Sequence, residues 1–117
     1  MSQTLFQTVQ IIEAGIAHGA VLAALHAQSF STEDVWDEAA LTQLLPLPGS
    51  VTGLAMRGDQ PAGFLMLRCV VDEAEILTLC VAKACRNQGV ARQLLAWGVM
   101  EAQERGADHK LLEVSVH

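Results

Sequence analysis

The sequence predicts an α+β fold: a mixed, mostly antiparallel sheet with helices on both faces, its elements in the order β-α-α-β-β-β-α-β. Three observations carry that prediction. Residues 76–82 are a near-continuous apolar run with β-branched members, the pattern of a strand covered on both faces. From residue 90 the period becomes that of an amphipathic helix. Val90, Leu94, Leu95, Gly98, Val99 and Ala102 fall on one side, with Arg92, Gln93, Gln103 and Glu104 largely opposite. Upstream, residues 51–56 and 62–71 flank the turn Arg57-Gly58-Asp59-Gln60-Pro61 and read as a hairpin.

Taken in order, residues 5–12 alternate loosely and suit a first strand at the sheet edge. Residues 16–28 are Ala-rich and helical, with Val21, Leu22, Ala24 and Leu25 as the apolar face and Gly15 and Gly19 weakening the start. His18 and His26, eight apart, are too far separated for a paired metal site and read as surface or capping histidines. Ser31 or Thr32 can cap a second helix with Glu33 and Asp34 in its first turn, ending before Pro46. Its acidic set, Glu33, Asp34, Asp37 and Glu38, reads most simply as a solvated helix face. Asp72-Glu73-Ala74-Glu75 leads from the hairpin into the central strand. In the third helix Glu101 and Arg105 form an i,i+4 pair, and Gly106 suits the residue after its end. A last strand over residues 110–116 alternates Leu112, Val114 and Val116 with Leu111, Glu113 and Ser115.

Composition bounds the function. A chain of 117 residues is expected to be one domain. Seven basic against thirteen acidic residues leave a net charge of −6, which argues against a nucleic-acid binder. Cys69, Cys80 and Cys85 are odd in number and form no Cys-x-x-Cys pair, so reduced, buried thiols are expected rather than disulfides or a zinc site. Residues 1–10 lack a basic segment followed by an apolar core, and no apolar run is long enough to span a membrane. The expected location is the cytoplasm.

The chemistry concentrates in the turn Arg86-Asn87-Gln88-Gly89-Val90-Ala91, between strand end and helix start. The first N–H groups of a helix have no intrahelical partner, and the positive end of its dipole favours an anion. Gly89 permits close approach to the backbone. Lys83, Arg86 and Arg92, three of the seven basic residues, cluster here in an acidic chain. A phosphate ligand explains that cluster. The alternative is an ordinary strand-to-helix connection whose glycine only makes the turn.

This turn resembles the acetyl-CoA-binding signature of GNAT superfamily N-acetyltransferases: Arg or Gln, two residues, Gly, one residue, then Gly or Ala. The order of the surrounding Leu79-Cys80-Val81, Leu94-Leu95, Glu104-Arg105-Gly106-Ala107 and Leu112-Glu113-Val114 strengthens the likeness. Asp72-Glu73-Ala74 and Leu112-Glu113-Val114 are most similar to the branch that acetylates the N-terminal alanine of a ribosomal protein. The similarity covers about residues 62–116. Lys83 stands where the family commonly has Pro, and Cys85 where an aromatic is common; both tune the loop rather than abolish it.

The resemblance implies an acetyl-CoA-dependent transfer of an acetyl group to a primary amine, either a protein N-terminus or a small amine. It implies cofactor binding by Leu79, Val81, Arg86, Asn87, Gln88, Gly89, Val90, Ala91 and Arg92. Leu79 and Val81 would offer main-chain groups to the pantetheine arm. Glu113, a lone carboxylate in an apolar strand, is the candidate base, because desolvation raises a carboxyl pKa toward a useful range; otherwise it pairs with Lys110 or Arg92. Glu75 is the reserve base. The family's next helix and two strands have no counterpart after His117, and the chain contains no Tyr to serve as the family's usual acid. The domain is therefore expected to be C-terminally incomplete, either a fragment or a chain completed by a partner, with a homodimer through the C-terminal strand expected. The competing class is a CoA-binding or self-associating module without turnover.

Overall fold

A computed structural model of the chain describes residues 9–30, 34–106 and 110–114, the last stretch by its backbone. The elements are β1 (Gln10–Glu13), α1 (Gly19–Ser29) after a 3-10 turn (Ile16–His18), α2 (Glu38–Leu44), β2 (Ser50–Arg57), β3 (Gln60–Val70), β4 (Glu73–Val81), a 3-10 turn (Lys83–Cys85), α3 (Val90–Glu104) and β5 (Lys110–Val114). Strands and helices follow the expected order. They form one five-stranded sheet, β1-β2-β3-β4-β5. The first four strands pair antiparallel, whereas β4 and β5 run parallel, as a helical crossover requires.

The alternation of β3 shows why both sheet faces are covered. Phe64 meets His26 of α1 on one face. Leu65 and Leu67 lie under Gly98 of α3 on the other. α3 buries Val90, Leu94, Gly98 and Ala102, one residue per turn. It lies close to the sheet because small residues face it: a Cβ on Gly98 would stand 2.6 Å from Leu65 Cδ2, and one on Gly53 would stand 2.6 Å from Trp97 Cζ3. Arg105 ties the helix end to Glu101 at 3.4 Å, the expected i,i+4 pair, and to Glu13 of β1 at 3.5 Å.

A bulge in β4 changes which face its residues occupy. Met66 pairs with Thr78 and Leu67 with Ile76, so Leu77 is an extra residue on that strand. Before it, Ala74 packs with Ala102 of α3. After it, Cys80 faces Ser29 of α1. The last β4–β5 pair among the described residues, Ile76 opposite Val114, lies beside this bulge.

Several expectations are corrected. The expected second helix starts later, at Glu38, because Asp37 caps it by accepting from the Ala40 N–H at 2.9 Å. Asp34 precedes the helix, and Ser31, Thr32 and Glu33 lie outside the described residues. β1 occupies Gln10–Glu13, and residues 5–8 of the expected strand also lie outside them. Val99 is 37% exposed rather than part of the buried face. His18 does cap, its Nδ1 accepting from the Gly15 N–H at 3.0 Å. His26 is no surface residue; it is 1% exposed. Its ring stacks between Phe30 and Trp36, at 4.2 and 4.9 Å, and its Nδ1 accepts from the Trp36 N–H at 3.1 Å. Aromatic contacts cover the apolar ring faces while the hydrogen bond satisfies the nitrogen.

Candidate anion and substrate site

The segment after β4 makes an anion site from backbone. Asn87 and Gly89 are both left-handed, with φ of 63° and 83°, and Gly89 is the residue before α3. Left-handed residues alternating with others turn successive N–H groups toward one side, which makes a concave donor surface. Among the described residues, nothing accepts from the N–H groups of Asn87, Gln88, Gly89, Val90, Ala91 or Arg92; the first helical bond runs from Gln93 N–H to the Gly89 carbonyl. Among the described residues no side chain caps the helix, and its first turn carries no acidic residue. These donors and the helix dipole therefore lie together at the start of α3, with Lys83, Arg86 and Arg92 exposed around them.

Arg86 is also engaged structurally. Its Nε donates to the Val81 carbonyl at 3.3 Å and its Nη2 to the Gln28 carbonyl, in the last turn of α1, at 3.2 Å. The Lys83 N–H donates to Gln28 Oε1 at 2.8 Å. A cation on the carbonyl end of a helix is favourable. Arg86 thus joins the start of the loop to the end of α1. Behind the loop, Val21, Ala24, Leu25, Pro61, Ala82 and Cys85 help to line an apolar cavity of about 310 Å³.

Beside the loop, β4 presents an open edge. The Ala82 N–H donates to the Ala62 carbonyl of β3 at 2.8 Å, so alternate residues Leu79 and Val81 direct their main-chain groups away from β3. The Arg86 contact with the Val81 carbonyl agrees with that orientation. Pairing with β5 stops at Ile76, which leaves this side of residues 77–81 without a strand partner among the described residues. The stretch from Val81 back to Ile76 is roughly 17 Å long at the ordinary rise of a strand.

The two candidate bases come to the same level of the sheet. Ala74 pairs with Leu111 and Ile76 with Val114, so Glu75 of β4 lies across from Leu112 and Glu113 of β5. Ile76 opposite Val114 is the last pair of the two strands among the described residues. Glu75 is half-buried, and the side chain of Glu113 lies outside the described residues. The exposed Asp34, Asp37 and Glu38 belong to the segment between α1 and α2 and the start of α2. No group of residues able to hold a metal ion occurs among the described residues. The three cysteines are free, and burial pushes the Cys80 thiol above its ordinary pKa, which keeps it unreactive.

One participant had no signal in the sequence. Arg57, at the end of β2, donates from Nη2 to Gln88 Oε1, and Gln88 Nε2 donates to the Ala84 carbonyl at 3.4 Å. Hairpin and loop meet only in three dimensions, and no local spacing reports that contact.

Comparison with known proteins bears on this geometry. The model of the acetyltransferase (GNAT) family matches residues 21–117. No curated protein matches the chain by sequence. Among solved structures, the ribosomal-protein-S18-alanine N-acetyltransferase of Escherichia coli superposes with a TM-score of 0.77 at 18% identity, over 86% of this chain and 63% of that one. This chain thus spans less than two thirds of that enzyme. The ribosomal-protein-alanine N-acetyltransferase of Brucella melitensis biovar Abortus 2308 gives 0.75 at 19% identity, over 92% and 81%. The PaiA N-acetyltransferase of Thermoplasma acidophilum, solved in complex with coenzyme A, gives 0.74 at 16% identity, over 86% and 75%. At these identities the likeness is one of fold.

Proposed function

Since the chain belongs to the acetyltransferase (GNAT) family, we propose that it transfers an acetyl group from acetyl-CoA to a primary amine, with a protein N-terminal amine as the leading acceptor and a small amine as the next. The observation that carries the proposal is the row of N–H groups from Asn87 to Arg92 with no acceptor among the described residues, beside the side of β4 that no described strand pairs over residues 77–81.

In this reading acetyl-CoA supplies an activated thioester, and the chain supplies position and charge. The amides of residues 87–92 hold the pyrophosphate, assisted by Arg86 and Arg92. Leu79 and Val81 offer main-chain groups to the amides of the pantetheine arm, which lies along β4 like an added strand. The roughly 17 Å from Val81 back to Ile76 is comparable to an extended pantetheine arm. That brings the thioester to the level of Glu75 and Glu113. A strand N–H near residues 79–81 would polarise the acetyl carbonyl, and Glu113, with Glu75 in reserve, would take the proton from the attacking amine. As the new N–C bond forms the C–S bond would break, CoA leaving as its thiolate, to be protonated from solvent. The test is acetyl-CoA titration and CoA release on one sample, offered peptides with N-terminal Ala and a panel of small amines. Release with one amine class supports the proposal; binding without release from any amine leaves a CoA-binding module instead.

The proposal includes a homodimer of single-domain chains in the cytoplasm. No helix among the described residues is long and apolar enough to cross a membrane. β5 is the edge strand of the described sheet, and its sequence is apolar at Leu111, Leu112 and Val114. An edge strand offers unpaired main-chain groups to a second copy. Sedimentation over a wide concentration range is expected to give a dimer that Val114→Lys dissociates. A monomer at high concentration, unchanged by Val114→Lys, would contradict it.

A further inference from the structure

We propose that Arg57 is a positioning residue for the phosphate loop, acting through Gln88 to hold the donors of residues 87–92 in one arrangement. The inference rests on the assignment of acetyl-CoA to that loop. Gln88 stands between the two left-handed residues Asn87 and Gly89. Its side chain is held from both sides, by Arg57 Nη2 on its oxygen and by the Ala84 carbonyl on its nitrogen. Arg57 comes from an element 31 residues away, so the contact fastens the loop to the β2–β3 hairpin rather than to its own neighbours. The N–H groups on either side of Gln88 are the ones with no acceptor among the described residues. Fixing Gln88 thus fixes the centre of the donor row, and donors that need not reorganise on binding bind more tightly.

The state of Arg57 itself points the same way. Its Nε is buried without a hydrogen-bond partner, and Arg57 makes no salt bridge among the described residues. A guanidinium with a buried, unsatisfied donor is a poor stabiliser of a fold. Methionine could fill the same path at the end of β2 without that penalty. Arg57 alone supplies a planar donor locked onto Gln88.

The experiment is a double-mutant cycle on the full chain, reading the acetyl-CoA dissociation constant by calorimetry for the wild type, Arg57→Met, Gln88→Ala and the double variant, with thermal melts beside them. Arg57→Met is expected to weaken binding about tenfold, the scale of one charge-assisted hydrogen bond. In the Gln88→Ala background the same change is expected to add less than about twofold, because a residue acting through Gln88 has nothing left to position. Arg57→Lys is expected to recover only part of the loss, since it keeps the charge and loses the planar donor. Should Arg57→Met fail to fold, Arg57→Lys with Gln88→Ala completes the same cycle. An unchanged dissociation constant in Arg57→Met, or an equal loss with and without Gln88, would overturn the positioning role while leaving the loop assignment standing. A wild-type chain that binds no acetyl-CoA would instead remove the loop assignment, and the inference with it.

Discussion

Gly89→Val is expected to weaken acetyl-CoA binding by at least about 100-fold, equivalent to ~2.7 kcal/mol, while the chain still folds. Gly89 has φ +83°, and a Cβ built there would meet nothing within 4 Å. The Cβ of a substituted residue therefore has open space in the free protein. Its folding penalty is conformational, about 1–2 kcal/mol for an L-residue held left-handed and more for a β-branched one. Binding suffers twice. The backbone shifts to relieve strain, which turns the flanking N–H groups away from their common focus, and the isopropyl group fills the space from which a phosphate would approach. Gly89→Ala carries the strain with less bulk and should lose about tenfold, within the range for one displaced donor. Calorimetry beside a thermal melt checks both. A folded valine variant that binds like the wild type would show that this loop is not the phosphate site.

Glu113→Gln is expected to lower kcat by about two to four orders of magnitude, the usual contribution of a general base, with acetyl-CoA affinity nearly unchanged. Glutamine keeps the shape of the side chain and the β4–β5 register, and removes only the ability to accept the proton. Glu75→Gln, across the sheet at the same level, should cost less than about tenfold if Glu75 only tunes the site by its charge. Steady-state rates for both variants with the amine identified in the release assay decide the order. A large loss in Glu75→Gln and little in Glu113→Gln would transfer the role of base to β4.

What the sequence made legible was whatever rests on local period. The one-residue-per-turn stripe Val90, Leu94, Gly98 and Ala102 and the apolar run of β4 located the helix and the end of the strand within one residue, while β4 itself begins three residues earlier than that run, at Glu73. The turn at Gly89 was likewise readable, and its positive φ is the physical reason a glycine stands there. The start of α2 was not, since Ser31, Thr32 and Asp37 all have capping chemistry and only packing chooses among them. His26 was misread because a histidine in an Ala-rich helix gives no sign of the two rings that enclose it. The bulge at Leu77 and the contact between Arg57 and Gln88 depend on register between strands and on a hairpin folding back over the loop. No spacing along the chain reports either.

The most direct measurement follows backbone amides one at a time while acetyl-CoA is added, in a ¹H–¹⁵N titration of the full chain. The amides of Asn87, Gln88, Gly89, Val90, Ala91 and Arg92 should move first and furthest, downfield as they begin to donate to phosphate oxygens, with Leu79 and Val81 next along the open edge of β4. Saturable shifts confined to other parts of the chain, with residues 87–92 unmoved, would contradict an anion site built from these backbone donors.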